Sequence, residues 1–157
     1  NNAEIIELFT DLFGPFPHDS YGMTYLDMRL PFGGFASPHR AYVLYLDEQL
    51  VAHEIAHSWF GASVSGASSS DNWLVEGFAT YAALLWIEHA SGAEAYDQEA
   101  RLLQAKTGES TRPLAIVTSA AELIDPVAYQ RGGLVFHALR LELGDDVFFE
   151  LLREYVD

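Results

Sequence analysis

Cysteine is absent from the 157-residue chain. That absence removes disulfides and thiolate metal sites together, and leaves histidine and carboxylate as the side chains available to zinc. Positive charge is scarce as well: eight Lys and Arg, with Lys106 the sole lysine, stand against 23 Asp and Glu, for a formal charge of −15. Such a surface repels phosphate backbones, so no nucleic-acid partner is expected, and the acidity reads as a solubility or saline-habitat feature. No apolar run approaches the length of a bilayer span, and no basic-then-apolar leader opens the chain, so no membrane segment or intact signal peptide is expected. Neither feature assigns a compartment. The opening Asn1-Asn2-Ala3 fits an expression scar or the ragged edge of an excised domain. What remains is ample for a core: half of the residues are hydrophobic and 13% are aromatic, enough for one globular domain over 1–157.

The elements follow from periodicity and punctuation. Ala3 to Phe13 reads as an amphipathic helix ended by Gly14-Pro15, and a turn-rich link runs to Ser20. Tyr21 to Leu30 suits a strand, Pro31-Phe32-Gly33-Gly34 a turn, and Ala41 to Leu46 a second strand, the two expected to form a small antiparallel element. Asp47 or Glu48 opens a helix reaching about Phe60 before Gly61. After a small, polar loop over 61–70, with an N-cap at Ser70 or Asp71, a helix from Asn72 to about Ala90 is apolar nearly all round and belongs at the centre. A surface helix over 94–107, a loop over 108–113, a helix opened by Asp125-Pro126 and closed by Gly144, and a last amphipathic helix over 145–156 complete the chain. No repeat or internal linker divides it. The pattern is α+β with helices predominant: a small β element followed by packed helices.

The chain is organised around His53-Glu54-Ile55-Ala56-His57. On a helix, His53 and His57 share one face and both imidazoles reach one metal ion, while Glu54 sits beside it, able to take a proton from a metal-activated water. A third ligand is expected from Glu76, an acid amid Trp73, Leu74, Val75 and Phe78, with eighteen residues separating it from His57. Three protein ligands leave one position open, whereas structural zinc is normally closed by four. The remaining histidines lack such a pattern: His18 reads as a loop residue, His39 as an exposed loop residue near the glycine turn, and His89 and His137 as structural. Thr80, one turn after Glu76, is placed to steady a ligand.

These residues carry a resemblance. Val51 to Gly61 (VAHEIAHSWFG) and Asn72 to Tyr81 (NWLVEGFATY) resemble the zinc motifs of the membrane alanyl aminopeptidase (aminopeptidase N) family of gluzincin metallopeptidases, and Ala128-Tyr129-Gln130-Arg131-Gly132 resembles its Tyr-x-Lys/Arg-Gly motif. The resemblance implies a thermolysin-like zincin catalytic domain with one Zn2+ per chain. His53, His57 and Glu76 would hold the zinc, Glu54 would serve as general base and then as acid to the departing amine, and Tyr129 would stabilise the oxyanion. Gly33, Gly34 and Phe35 would line the substrate loop. It further implies a peptide or protein substrate and other domains of a parent protein, this chain being a catalytic fragment without the family's N-terminal β domain.

The chain departs from the family where the free amine is recognised. Against the family's Gly-x-Met-Glu-Asn motif stands Gly33-Gly34-Phe35-Ala36-Ser37-Pro38, so Ala36 occupies the glutamate position and Ser37 the asparagine position. Val75 replaces the usual asparagine. The expected activity is that of an aminopeptidase of altered specificity. The alternatives are an endopeptidase or another zinc hydrolase, such as the epoxide hydrolase branch of the family, or a catalytically weakened metal-binding or interaction module.

Overall fold

The computed structural model describes residues 2–107 and 112–156. Six α-helices, α1 (Asn2–Phe13), α2 (Glu48–Ala56), α3 (Asn72–Ser91), α4 (Ala93–Thr107), α5 (Pro126–Leu143) and α6 (Asp145–Val156), accompany three short strands, β1 (Gly22–Tyr25), β2 (Gly34–Ser37) and β3 (Arg40–Val43). The architecture is α+β with helices predominant. Most of the loop expected over 108–113 lies outside the described residues, as do Asn1 and Asp157.

The sheet differs from expectation. Its order is β1-β3-β2; β1 pairs with β3 in parallel, Gly22 opposite Arg40 and Tyr25 opposite Val43, and β2 pairs with β3 antiparallel, Gly34 opposite Val43. The two expected strands are therefore parallel neighbours, and the antiparallel partner is a strand, Gly34–Ser37, that shares only Gly34 with the expected turn and otherwise runs through residues assigned to no element. Once the chain has reversed around His39, Phe35 can stack on Tyr42, ring centroids 4.7 Å apart, a cross-strand contact that offsets the weak strand propensity of Gly34. Ala41 and Val43 of the central strand are fully buried, and the sheet lies against α2.

The apolar character of α3 is explained by its place: it packs against α2, α4 and α5, and Phe78, Ala79, Tyr81 and Ala82 on it are fully buried. On one side α1 inserts Ile5, Phe9 and Phe13, all fully buried. Phe13 meets Phe78 edge-on at 4.8 Å and Trp59 at 5.9 Å, while the Trp59 indole donates to the Gly14 carbonyl at 3.0 Å. This aromatic cluster anchors the exit of α2. The helix ends must be satisfied: Asp47 accepts from the Leu50 amide at 3.0 Å and Asp125 from the Val127 amide at 2.9 Å, the N-caps that the sequence indicates. Asp71 behaves differently, turning its carboxylate back to the Ser68 amide at 2.9 Å to close a short 3-10 turn ahead of α3. The helix over 94–107 is less superficial than expected, since Tyr96, Ala100 and Leu103 are buried.

Candidate active site

The first regular part of the site is α2, which is shorter than its sequence suggests. It ends at Ala56, and His57 is its C-cap with φ −61° and ψ −13°. That conformation is still right-handed helical, so His57 stays one turn from His53 and their rings meet edge-on at 4.8 Å. The helix stops because the Ser58 amide tightens onto the Ile55 carbonyl at 3.0 Å and the chain then turns through Gly61, whose φ of +133° is a region glycine favours. The third member comes from α3. Oε2 of Glu76 lies 3.3 Å from Nε2 of His53 and 3.5 Å from Nε2 of His57, and the two Nε2 atoms are 3.2 Å apart.

This triangle fits a zinc ion. Donors about 2.1 Å from a central ion in tetrahedral arrangement stand about 3.4 Å from one another, which is the spacing of all three edges. Their chemistry requires a cation as well. Nδ1 of His57 faces the Phe60 carbonyl at 3.1 Å and must carry its proton there, so Nε2 of a neutral His57 presents a lone pair to another nitrogen and to a carboxylate. In the metal-free protein a proton serves: burial opposes it, but the hydrogen bond and charge of Glu76, with Glu54 and the Phe60 carbonyl, raise His57 to about 9. Burial likewise pushes the Glu76 carboxyl up, yet the hydrogen bonds and charges of both histidines hold it well below the usual carboxylate range.

Glu54 occupies the position beside the triangle. It is 3% exposed, and its Oε2 has no hydrogen-bond partner among the described residues, a costly arrangement for a group without a task. Burial raises its pKa, and Glu76 adds to the rise while the two histidines oppose it. The sheet crowds it: a Cβ on Gly34 would stand 2.7 Å from Oε1 of Glu54 and 2.8 Å from the Tyr42 carbonyl oxygen. Tyr21 holds the same turn of α2 from the other side, its hydroxyl donating to the Glu54 carbonyl at 3.0 Å. Tyr129, near the start of α5, lays its ring parallel to His53 at 5.9 Å. Its phenol is pushed well above the usual value by burial and by the charges of Glu76 and Glu54 beside it.

His53, Glu54, His57, Glu76 and Tyr129 open onto one cleft of about 900 Å³, whose floor is the triangle and whose walls include Gly33, Gly34, Phe35 and Ala36 on the sheet side and Thr80 and Val75 on α3. The structure thus brings His53, Glu54, His57, Glu76, Tyr129 and the glycine stretch together. The other histidines lie elsewhere: His18 packs its ring on Phe16 and on His39, His89 lies 3.7 Å from Glu4, and His137 meets the Tyr96 hydroxyl at 2.6 Å. Sequence reasoning missed that Glu99 and Leu103 of α4 line the cleft. The signal available was the Tyr96, Ala100, Leu103 spacing, which marks a buried stripe on that helix.

A small sheet over an HExxH helix, with a glutamate from the next helix closing on both histidines beside a buried carboxylate, defines a domain of the zinc metallopeptidase class. Residues 43–157 match the Peptidase family M1 domain, and the chain belongs to that family. Among curated proteins it is 30% identical to Aminopeptidase B of Mus musculus over 93% of this chain and 26% of that protein. It is 27% identical to Leukotriene A-4 hydrolase of Xenopus laevis over 98% of this chain and 28% of that protein. The chain spans about a quarter of the length of the curated relatives it matches. Among solved structures, the M1 zinc metallopeptidase of Deinococcus radiodurans superposes with a TM-score of 0.89 at 37% identity, over 98% of this chain and 35% of that one. A variant of that enzyme with a Tyr-Ser-Ala substrate gives 0.90 at 36% identity, over 99% of this chain and 36% of that one. Leukotriene A4 hydrolase of Saccharomyces cerevisiae, at 20% identity and a TM-score of 0.83 over 98% of this chain and 28% of that one, shares the fold.

Proposed function

We propose that this chain is the catalytic domain of a longer zinc aminopeptidase, and that peptide hydrolysis takes place on the floor of the cleft. The observation that carries the reading is the convergence of His53, His57 and Glu76 beside Glu54, a buried carboxylate whose Oε2 has no hydrogen-bond partner among the described residues. When bound, zinc supplies Lewis acidity, lowering the pKa of water and polarising a carbonyl. Glu54 takes the proton of the attacking water and returns it to the departing amine, a role suited to a carboxylate whose pKa burial has raised. Tyr129 stays protonated across the working range and donates its hydroxyl to the oxyanion as charge develops there. Gly33, Gly34 and Phe35 line the wall against which an extended substrate backbone lies.

The other domains of the parent protein, including an N-terminal β domain, would complete the cleft, and its substrate is a peptide or protein. The aminopeptidase reading is supported by the names of the relatives, whereas Ala36 leaves the family's amine anchor without its carboxylate. A second reading, endopeptidase action, draws its support from that same residue. The test is turnover by the zinc-loaded chain of matched peptides with free and blocked amino termini, beside Glu54→Gln. Turnover of free-amine peptides that Glu54→Gln abolishes while zinc is retained is the expected result. Preference for blocked peptides would favour the endopeptidase, and full activity in Glu54→Gln would overturn the mechanism.

A further inference from the structure

Helices α3 and α5 meet backbone to backbone where Gly77 lies against Gly132. A Cβ on Gly77 would lie 2.6 Å from both Cα and the carbonyl carbon of Gly132, and a Cβ on Gly132 would lie 2.6 Å from the Trp73 carbonyl oxygen and 2.8 Å from Cα of Gly77. Carbon atoms in contact rest about 3.5–4.0 Å apart, so a methyl group at either position forces the helices to separate or slide by roughly 1 Å. Rotamer changes give no escape, because the atoms in the way are main chain. Glycine in a helix interior is itself unfavourable relative to alanine, so both residues weaken their helices for the sake of this approach.

The contact lies one residue from one component of the site and one turn from another. Glu76 immediately precedes Gly77, and Tyr129 precedes Gly132 by three residues, on the same face of α5. The Tyr129 ring rests parallel to His53 at 5.9 Å. We propose that the Gly77–Gly132 contact is the device that sets Tyr129 against the metal-ligand triangle, and that both glycines are positioning residues for the hydrolysis. The kinetic consequence rests on the function proposed above; the geometric consequence does not. A neighbouring glycine gives a graded version of the same wedge, since a Cβ on Gly133 would meet Cγ2 of Thr80 at 3.1 Å.

The test combines crystal structures of the zinc-loaded chain with a double-mutant cycle. Gly132→Ala is expected to retain one zinc, to move the Tyr129 ring off its stack on His53, and to lower kcat on the order of 100-fold with KM little changed, the scale of a 1 Å misplacement. In a Tyr129→Phe background the same substitution is expected to cost less than about threefold, because the group it displaces is already gone. A Tyr129–His53 stack left at 5.9 Å, or full additivity with Tyr129→Phe, overturns the proposal. Should Gly132→Ala not fold, Gly133→Ala decides: a smaller displacement of Tyr129, reversed by Thr80→Ser, supports the proposal, and an unmoved ring overturns it. Displacement of the ring in a parent chain that binds zinc but turns over no peptide upholds the positioning and sinks the hydrolase reading.

Discussion

Removing the metal should reverse the pH dependence of stability. In the metal-free protein His57 is held protonated between Glu76 and the Phe60 carbonyl, and its pKa stands at about 9 instead of 6.5. A raised histidine stabilises the fold fully below its unfolded value and loses that contribution as pH climbs through the folded value. The loss therefore falls between about pH 6.5 and pH 9. Its size is about 3 kcal/mol, and the matching depression of Glu76 is the other half of the same interaction, counted once. For a domain of this length that corresponds to roughly 6–12 °C in Tm. His18 and His137 are lowered, chiefly by burial, so their contributions change at and below about pH 6.5. Zinc works in the opposite sense, since binding must displace the His57 proton, and affinity should rise about tenfold per pH unit up to pH 9. Calorimetric scans of chelated and zinc-loaded protein from pH 6 to 9.5 check both halves. A metal-free Tm that stays flat or rises across that interval would refute the account of the triangle.

Other expectations are more local. Gly34→Ala places a methyl 2.7 Å from Oε1 of Glu54; activity should fall about 10- to 100-fold while zinc content, read by atomic absorption, stays at one per chain. Arg140 ties α5 to Glu88 of α3 at 2.6 Å and to Asp145 of α6 at 2.7 Å. Arg140→Met keeps the apolar stem but abolishes both pairs, and because Asp145 is 62% exposed the cost should be moderate, about 2 kcal/mol, visible as a Tm lower by roughly 4–8 °C. Trp59→Phe leaves the Gly14 carbonyl without its 3.0 Å donor and trims a fully buried ring, a loss of about 2 kcal/mol in urea denaturation.

Local signals carried much of this structure. The run Asp125-Pro126 and the glycines at 92 and 144 mark helix ends because caps and breakers act within a few residues, and α3, α5 and α6 begin or stop where those signals stand. The HExxH spacing likewise depends only on one helical turn. Features that depend on distant partners were not legible. β2 was hidden in a glycine-containing stretch because its pairing with β3 is decided by Phe35 on Tyr42 and by the close pass of Gly34 over Glu54. The early end of α2 follows from the turn made through Gly61, which a continuous run of apolar residues to Phe60 conceals. The motif glycine at 132 could be seen in the chain, but its contact with Gly77 exists only once two helices cross.

Zinc stoichiometry and affinity of the chelated and reloaded chain, measured beside His53→Ala and Glu76→Gln, test the central claim most directly. The site described here predicts one tightly held zinc per chain, lost or strongly weakened in both variants. Absence of specific zinc binding, or binding indifferent to Glu76, would contradict it.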